Sequence, residues 1–195
     1  MSKSLGNIVN PLDLIKVHGT DSLRMAMIVG IGPGADNNLS EDKVKAYSKF
    51  SNKIWNATRF VLENTAGFDD SQKPELSAGH TEYITEWENL TKEITKEMEE
   101  YKLYLVGEKL YHFFWHRFAD VMIEECKKHL NDSAKYTLVY LLKQQLKALH
   151  PFMPFITEEL WQQMYEREEG ESIMVQYFKL DTYVDVPDVR QFEVA

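Results

Sequence analysis

The chain has 195 residues, 44% of them apolar and 12% aromatic, and a formal net charge of −9. That composition supports a sizeable buried core, and the acidic total argues against a surface that is cationic throughout. No apolar run approaches the ~20 residues that cross a bilayer, and a single cysteine, Cys126, excludes an internal disulfide.

From the N-terminus, "MSKSLGN" is a polar, glycine-containing loop. In "NPLDLIKVHG", Asn10 is a good N-cap, Pro11 suits the first helical position and Gly19 suits a left-handed stop. "TDSLRMAMIVG" predicts a second short helix, capped by Thr20 or Asp21 and closed by Gly30. "IGPGADNN" then breaks the chain. Ser40 caps a helix predicted over 41–65, with Glu41 and Asp42 in its first turn. On a helical wheel Val44, Tyr47, Phe50, Ile54, Trp55, Ala57, Thr58, Val61 and Leu62 share one side. The other side carries Lys45, Lys49, Asn52, Lys53, Asn56 and Arg59, and no acid occurs from Lys43 to Leu62.

Residues 67–79 read as a mobile polar linker. Helices are predicted over about 80–100, 103–130 and 133–149, the middle one rich in Tyr, Phe and Trp. After "HPFMPF", Thr157 is expected to cap a last helix over 158–168, and 171–195 to form a short strand or an extended tail. The fold class is all-α: a two-helix entry unit and loop (1–38), an antiparallel bundle (39–170) and a tail (171–195).

Several residues have chemistry worth weighing. Residues 1–60 hold eight Lys/Arg against five Asp/Glu, and the remainder fourteen against twenty-six. Either one face meets an anion or an ordinary acidic surface varies along the chain. Helix faces in water usually mix signs, since Glu and Lys support each other four residues apart. The bare cation-and-amide face of helix 41–65 therefore reads as a surface for phosphates or base edges. Lys3, flanked by Ser2 and Ser4, offers a point charge and hydroxyl donors to a phosphate. Taken alone, Ser-Lys-Ser is a common tail, and no Gly-x-x-x-x-Gly-Lys precedes it. His112 and His116 have a metal-like spacing but neither an intervening Glu nor a third ligand, so no metal is expected. Cys126 reads as a buried thiol. Most rings of the patch formed by Tyr101, Tyr104, Tyr111, Phe113, Phe114, Trp115 and Phe118 belong to the core, with one or two available to stack on bases.

Together these stretches resemble class I aminoacyl-tRNA synthetases. "MSKSLGN" resembles their second signature, Lys-Met-Ser-Lys-Ser, with the Leu-Gly-Asn of the valyl and isoleucyl branch. "NPLDLIKVHGTDSLRMAM" resembles the stem-contact helices, and "NLSEDKVKAYSKFSNKIWNATRFVLEN", "FFWHRFADVMIEECK" and "LHPFMPFITEELWQ" resemble the anticodon-binding bundle. "GESIMVQ" sits where the valyl enzymes close that bundle. The resemblance implies that Lys3 is catalytic, with Ser2, Lys3 and Ser4 on the phosphates of ATP (with Mg) in the full-length enzyme. It implies that the bundle binds tRNA, and the acid-free face of helix 41–65 makes Lys45, Lys49, Asn52, Lys53, Asn56 and Arg59 the residues expected to meet it. The family's first signature, of His-x-Gly-His type, has no match here, and the Rossmann and editing domains are not in this sequence. The chain is thus expected to be the C-terminal piece of a synthetase. It should be inactive alone and bind no ATP by itself, and a cytoplasmic monomer is expected. The alternatives are an isoleucyl or leucyl enzyme and a stand-alone helical RNA- or protein-interaction module.

Overall fold

A computed structural model describes residues 10–32, 34, 35, 39–164 and 172–176. Most of those residues are helical, with no strand among them. The first two helices, α1 (Pro11–His18) and α2 (Thr20–Ile28), start as the sequence dictates. The Asn10 side chain accepts from the Leu12 amide, and Gly19 takes φ 83°, a left-handed value that any side chain would strain. Gly19 itself occupies the cap position of α2, so neither Thr20 nor Asp21 caps that helix. The longest helix, α3 (Glu41–Asn64), begins with the Ser40 hydroxyl accepting from the Lys43 amide.

The bundle continues with α4 (Ala78–Glu99), then α5, a continuous rod over 103–126, then α6 (Asp132–Leu149) and α7 (Pro154–Gln163). Side-chain contacts fix the directions. Near its start α4 gives Tyr83 to Glu125 at the end of α5 (2.7 Å), while Glu93 and Glu97 near its end meet Lys109 near the start of α5. Hence α4 and α5 are antiparallel. Ser77 meets Ser133, so α4 and α6 run together. Tyr47 meets Tyr111 and Lys53 meets Asp120, so α3 and α5 also run together. Phe50, Phe114, Phe118, Phe152, Met122, Leu138 and Leu141 are buried between these helices.

The middle of α5, Phe113–Met122, is wound as a π-helix. Its wider turn keeps residues four apart nearly in line. Phe114, Phe118 and Met122 therefore stack into the core, and His112, His116 and Asp120 share the exposed side. Near the start of α5, a Cβ on Gly107 would lie 2.6 Å from Val29 Cγ2. The lack of a side chain there is what lets the end of α2 approach α5.

Three expectations change. The 67–79 segment is tied down rather than mobile: Leu76 packs on the core, the Lys143 ammonium bonds the Asp70 carboxylate, and the Ser77 amide donates to Ser133 Oγ. Trp55 does not join the apolar side of α3 and is 39% exposed. The last helix starts at Pro154, not after Thr157, because Pro fits the first helical position. Thr157 is buried within it, its hydroxyl donating to the Met153 carbonyl and lying 2.8 Å from His150 Nδ1. Ile173–Val175 forms a 3₁₀ turn, held where Glu158 accepts from Ser172 Oγ and the Ile173 amide. The tail predicted beyond it lies outside the described residues.

The cap that Thr157 does not supply comes from far away in the chain. Asp21, buried in α2, accepts from the amides of Phe155 (3.3 Å) and Ile156 (2.7 Å) at the start of α7. Burial pushes its carboxyl above the usual carboxylate range, and the two amides and Arg24 pull it back down. Asp21→Ala orphans both amides and should lower stability in urea by about 2 kcal/mol. Asp21→Asn, which keeps a carbonyl acceptor, should lose less.

Candidate nucleic-acid interface

Lys45, Lys49, Asn52, Asn56 and Arg59 are all exposed on α3. Of these, Arg59 faces Glu63 at 3.7 Å, with both side chains 66% exposed, so water screens that pair heavily. Lys43, just before the stripe, turns away to donate to the Val29 carbonyl at 2.8 Å, and burial lowers its amine from the ordinary lysine range. Lys53 is half-buried and its ammonium lies 2.7 Å from Asp120 Oδ1. The acid missing from α3 thus arrives from α5, which a reading of α3 alone had no means of finding. Ser2, Lys3 and Ser4 lie outside the described residues.

Alongside the stripe, α5 supplies rings. Phe50 forms the floor, 4.8 Å from Tyr111 and 6.2 Å from Trp115, nearly parallel to the latter at 21°. His112 and His116 lie outside this floor, 5.4 Å apart, and the Trp115 ring lies 5.7 Å from the Lys53 ammonium. Burial, with Tyr111 and Glu108 nearby, pushes the Tyr47 phenol up to about 12, so it stays an uncharged donor on this surface. Beyond Arg59, Lys127 sits 4.8 Å over the Phe60 ring. Their four-residue spacing ranges His112, His116 and Asp120 along one side of α5, beside the cations.

Apart from Asp120, Glu63 and Glu108, a dense set of acids lies elsewhere. Helix α4 carries Glu82, Glu86, Glu88, Glu93, Glu97 and Glu99 and packs on α5 and α6. Several are used internally: Glu86 holds Arg117 through two 2.7 Å bonds, and Glu93 and Glu97 hold Lys109. The total of −9 therefore hides a cationic, ring-edged side on α3 and an acidic one on α4.

Cys126 has no comparable surface role. It is buried with Sγ 3.7 Å from His80 Nε2, while His80 Nδ1 lies 2.7 Å from Ser133 Oγ. Burial, with Glu125 adding to it, pushes the thiol up to about 11, the opposite of what a nucleophile needs.

Residues 80–195 match the family model of the anticodon-binding domain of tRNA ligase, and residues 1–40 match that of the class I tRNA synthetases (I, L, M and V). The chain belongs to the anticodon-binding domain family of tRNA ligases. Among its relatives is the valine–tRNA ligase of Anoxybacillus flavithermus, 44% identical over 185 residues, which are 90% of this chain and 21% of the relative. Another is the valine–tRNA ligase of Fusobacterium nucleatum, 38% identical over 99% of this chain and 23% of the relative. The chain therefore spans about a fifth of the length of the curated relatives it matches. Agrobacterium radiobacter K84 agnB2 LeuRS, solved in a ternary complex with tRNA and LeuAMS, shares the fold with a TM-score of 0.71 and 18% identity, covering 86% of this chain and 20% of that one.

With its folded thiol titrating near 11 against an ordinary 9.0, Cys126 holds its proton at pH 8 in all but about one molecule in a thousand. Iodoacetamide should label it slowly in native protein and rapidly in urea. Because the folded value is the raised one, this group's contribution to stability is complete below pH 9 and fades as pH climbs from 9 to 11.

Proposed function

We propose that this chain is the tRNA-binding end of a valine–tRNA ligase, and that the exposed side of α3 takes the anticodon loop. One observation carries the reading: an exposed stripe of cations and amides on α3 borders a set of fixed aromatic rings on α5. Phosphates set affinity and unpaired bases set specificity, so an RNA loop needs charge and rings side by side. Lys45, Lys49 and Arg59 supply charge. Asn52 and Asn56, four residues apart, each offer a donor and an acceptor to base edges. The relatives at 38–44% identity support valine as the amino acid, since each is a valine–tRNA ligase.

In the whole enzyme, Ser2, Lys3 and Ser4 would meet the phosphates of ATP, which with Mg activates the amino acid. Lys3 would follow the negative charge that develops as pyrophosphate departs. The remaining four-fifths of the ligase would hold the nucleotide and choose the amino acid. No helix among the described residues is long and apolar enough to cross a membrane, and we place the enzyme in the cytoplasm.

Charge reversal at both Lys45 and Lys49 should weaken binding of valine-specific tRNA by roughly tenfold or more at 0.1 M salt and flatten its dependence on salt. Unchanged affinity and slope would overturn the assignment of this face. In the whole ligase, Lys3→Ala should slow valine-dependent ATP–pyrophosphate exchange by about a hundredfold or more while leaving tRNA affinity intact.

A further inference from the structure

The stripe on α3 is not uniform. Lys45 and Lys49 are exposed and have no ion-pair partner among the described residues, so their charge is open to phosphate. Lys53, between them and Arg59, is already neutralised by Asp120 at 2.7 Å. A neutralised cation displaces no counterion when RNA arrives, and a carboxylate 42% exposed beside it repels phosphate. On a surface that meets a polyanion, such a pair suits another part of the ligand.

Nucleobase edges provide that part. Each sets N–H donors beside oxygen or nitrogen acceptors, and an ammonium next to a carboxylate is complementary to such an edge. Only Oδ1 of Asp120 holds Lys53; Oδ2 is 3.7 Å from His116 Nδ1, beyond hydrogen-bond range, and keeps acceptor capacity toward solvent. The Lys53 ammonium lies over the half-buried Trp115 ring, 5.7 Å from its centroid, and Phe50 braces that ring at 6.2 Å. A fixed ring next to a donor–acceptor pair is the combination by which unpaired bases are read. We propose that Lys53, Asp120 and Trp115 form a nucleobase-reading subsite that takes one unpaired base of an RNA loop, while Lys45 and Lys49 hold the phosphates. This rests on the reading of the α3 face as RNA-binding.

The test titrates the 195-residue chain with RNA hairpins whose seven-nucleotide loop is varied through the four bases at each position, at two salt concentrations. Lys49→Gln should weaken every hairpin alike and lower the salt slope by about one. Asp120→Asn, nearly identical in shape, frees the Lys53 charge and should raise the slope by up to about one, and it should abolish a preference of roughly tenfold at one loop position. A base analogue lacking the contacted N–H, placed at that position, should bind the wild type as weakly as Asp120→Asn binds the natural base, with no further loss when the two are combined. If Asp120→Asn instead strengthens all hairpins equally and leaves the base preference intact, the carboxylate merely restrains Lys53 and the subsite is overturned. A wild-type chain that binds hairpins without base preference overturns the subsite alone. One that binds none overturns the RNA-binding reading and the subsite with it.

Discussion

Two residues of one short helix hold the molecule's two parts together. Three positions apart on α2, Asp21 accepts from the amides that open α7, and Arg24 donates to the Pro151 and Phe152 carbonyls that follow α6. Helix starts present unpaired N–H groups with partial positive charge, and the segments after helix ends present unpaired carbonyls with partial negative charge. An acid and a base on one helix face therefore satisfy both sides of the "HPFMPF" corner at once. Because Asp21 is buried, the contact is specific as well as attractive: no other group in reach of those amides replaces it without leaving polar atoms unpaired.

Local grammar was legible in the sequence. Asn10 and Ser40 cap the helices predicted for them, Gly19 adopts the left-handed stop, and on the α3 wheel every apolar-side residue but Trp55 is buried or half-buried while every stripe residue but Lys53 is exposed. What escaped was every arrangement made between distant residues. Thr157 looks like a cap because its neighbours Glu158 and Glu159 suit a first turn, yet the cap of α7 lies more than 130 positions away in Asp21. Lys53 looks like a free cation because no acid is near it along the chain, and Asp120 is 67 positions distant. His112, His116 and Asp120 share a face by their four-residue spacing, but nothing along α5 says that α3 lies beside that face.

The separation of charge between α3 and α4 reconciles an acidic protein with the polyanionic ligand proposed for it. Acids on α4 neutralise Arg117 and Lys109, cations on the inner bundle surfaces, while Lys45 and Lys49 keep their charge for the outside. Net charge is thus a poor guide to what one face meets. Field strength near a surface depends on the charges within about a Debye length of it, roughly 8–10 Å in ordinary salt, not on the sum over the chain.

Helix α3 is 24 residues long, hence about 36 Å from end to end, and it leaves the α1–α2 unit at its base. Because it packs on α5, α6 and α7 as well, it is a strut rather than a free arm, and it holds Lys45 and Arg59 a fixed distance of about 21 Å apart along its axis.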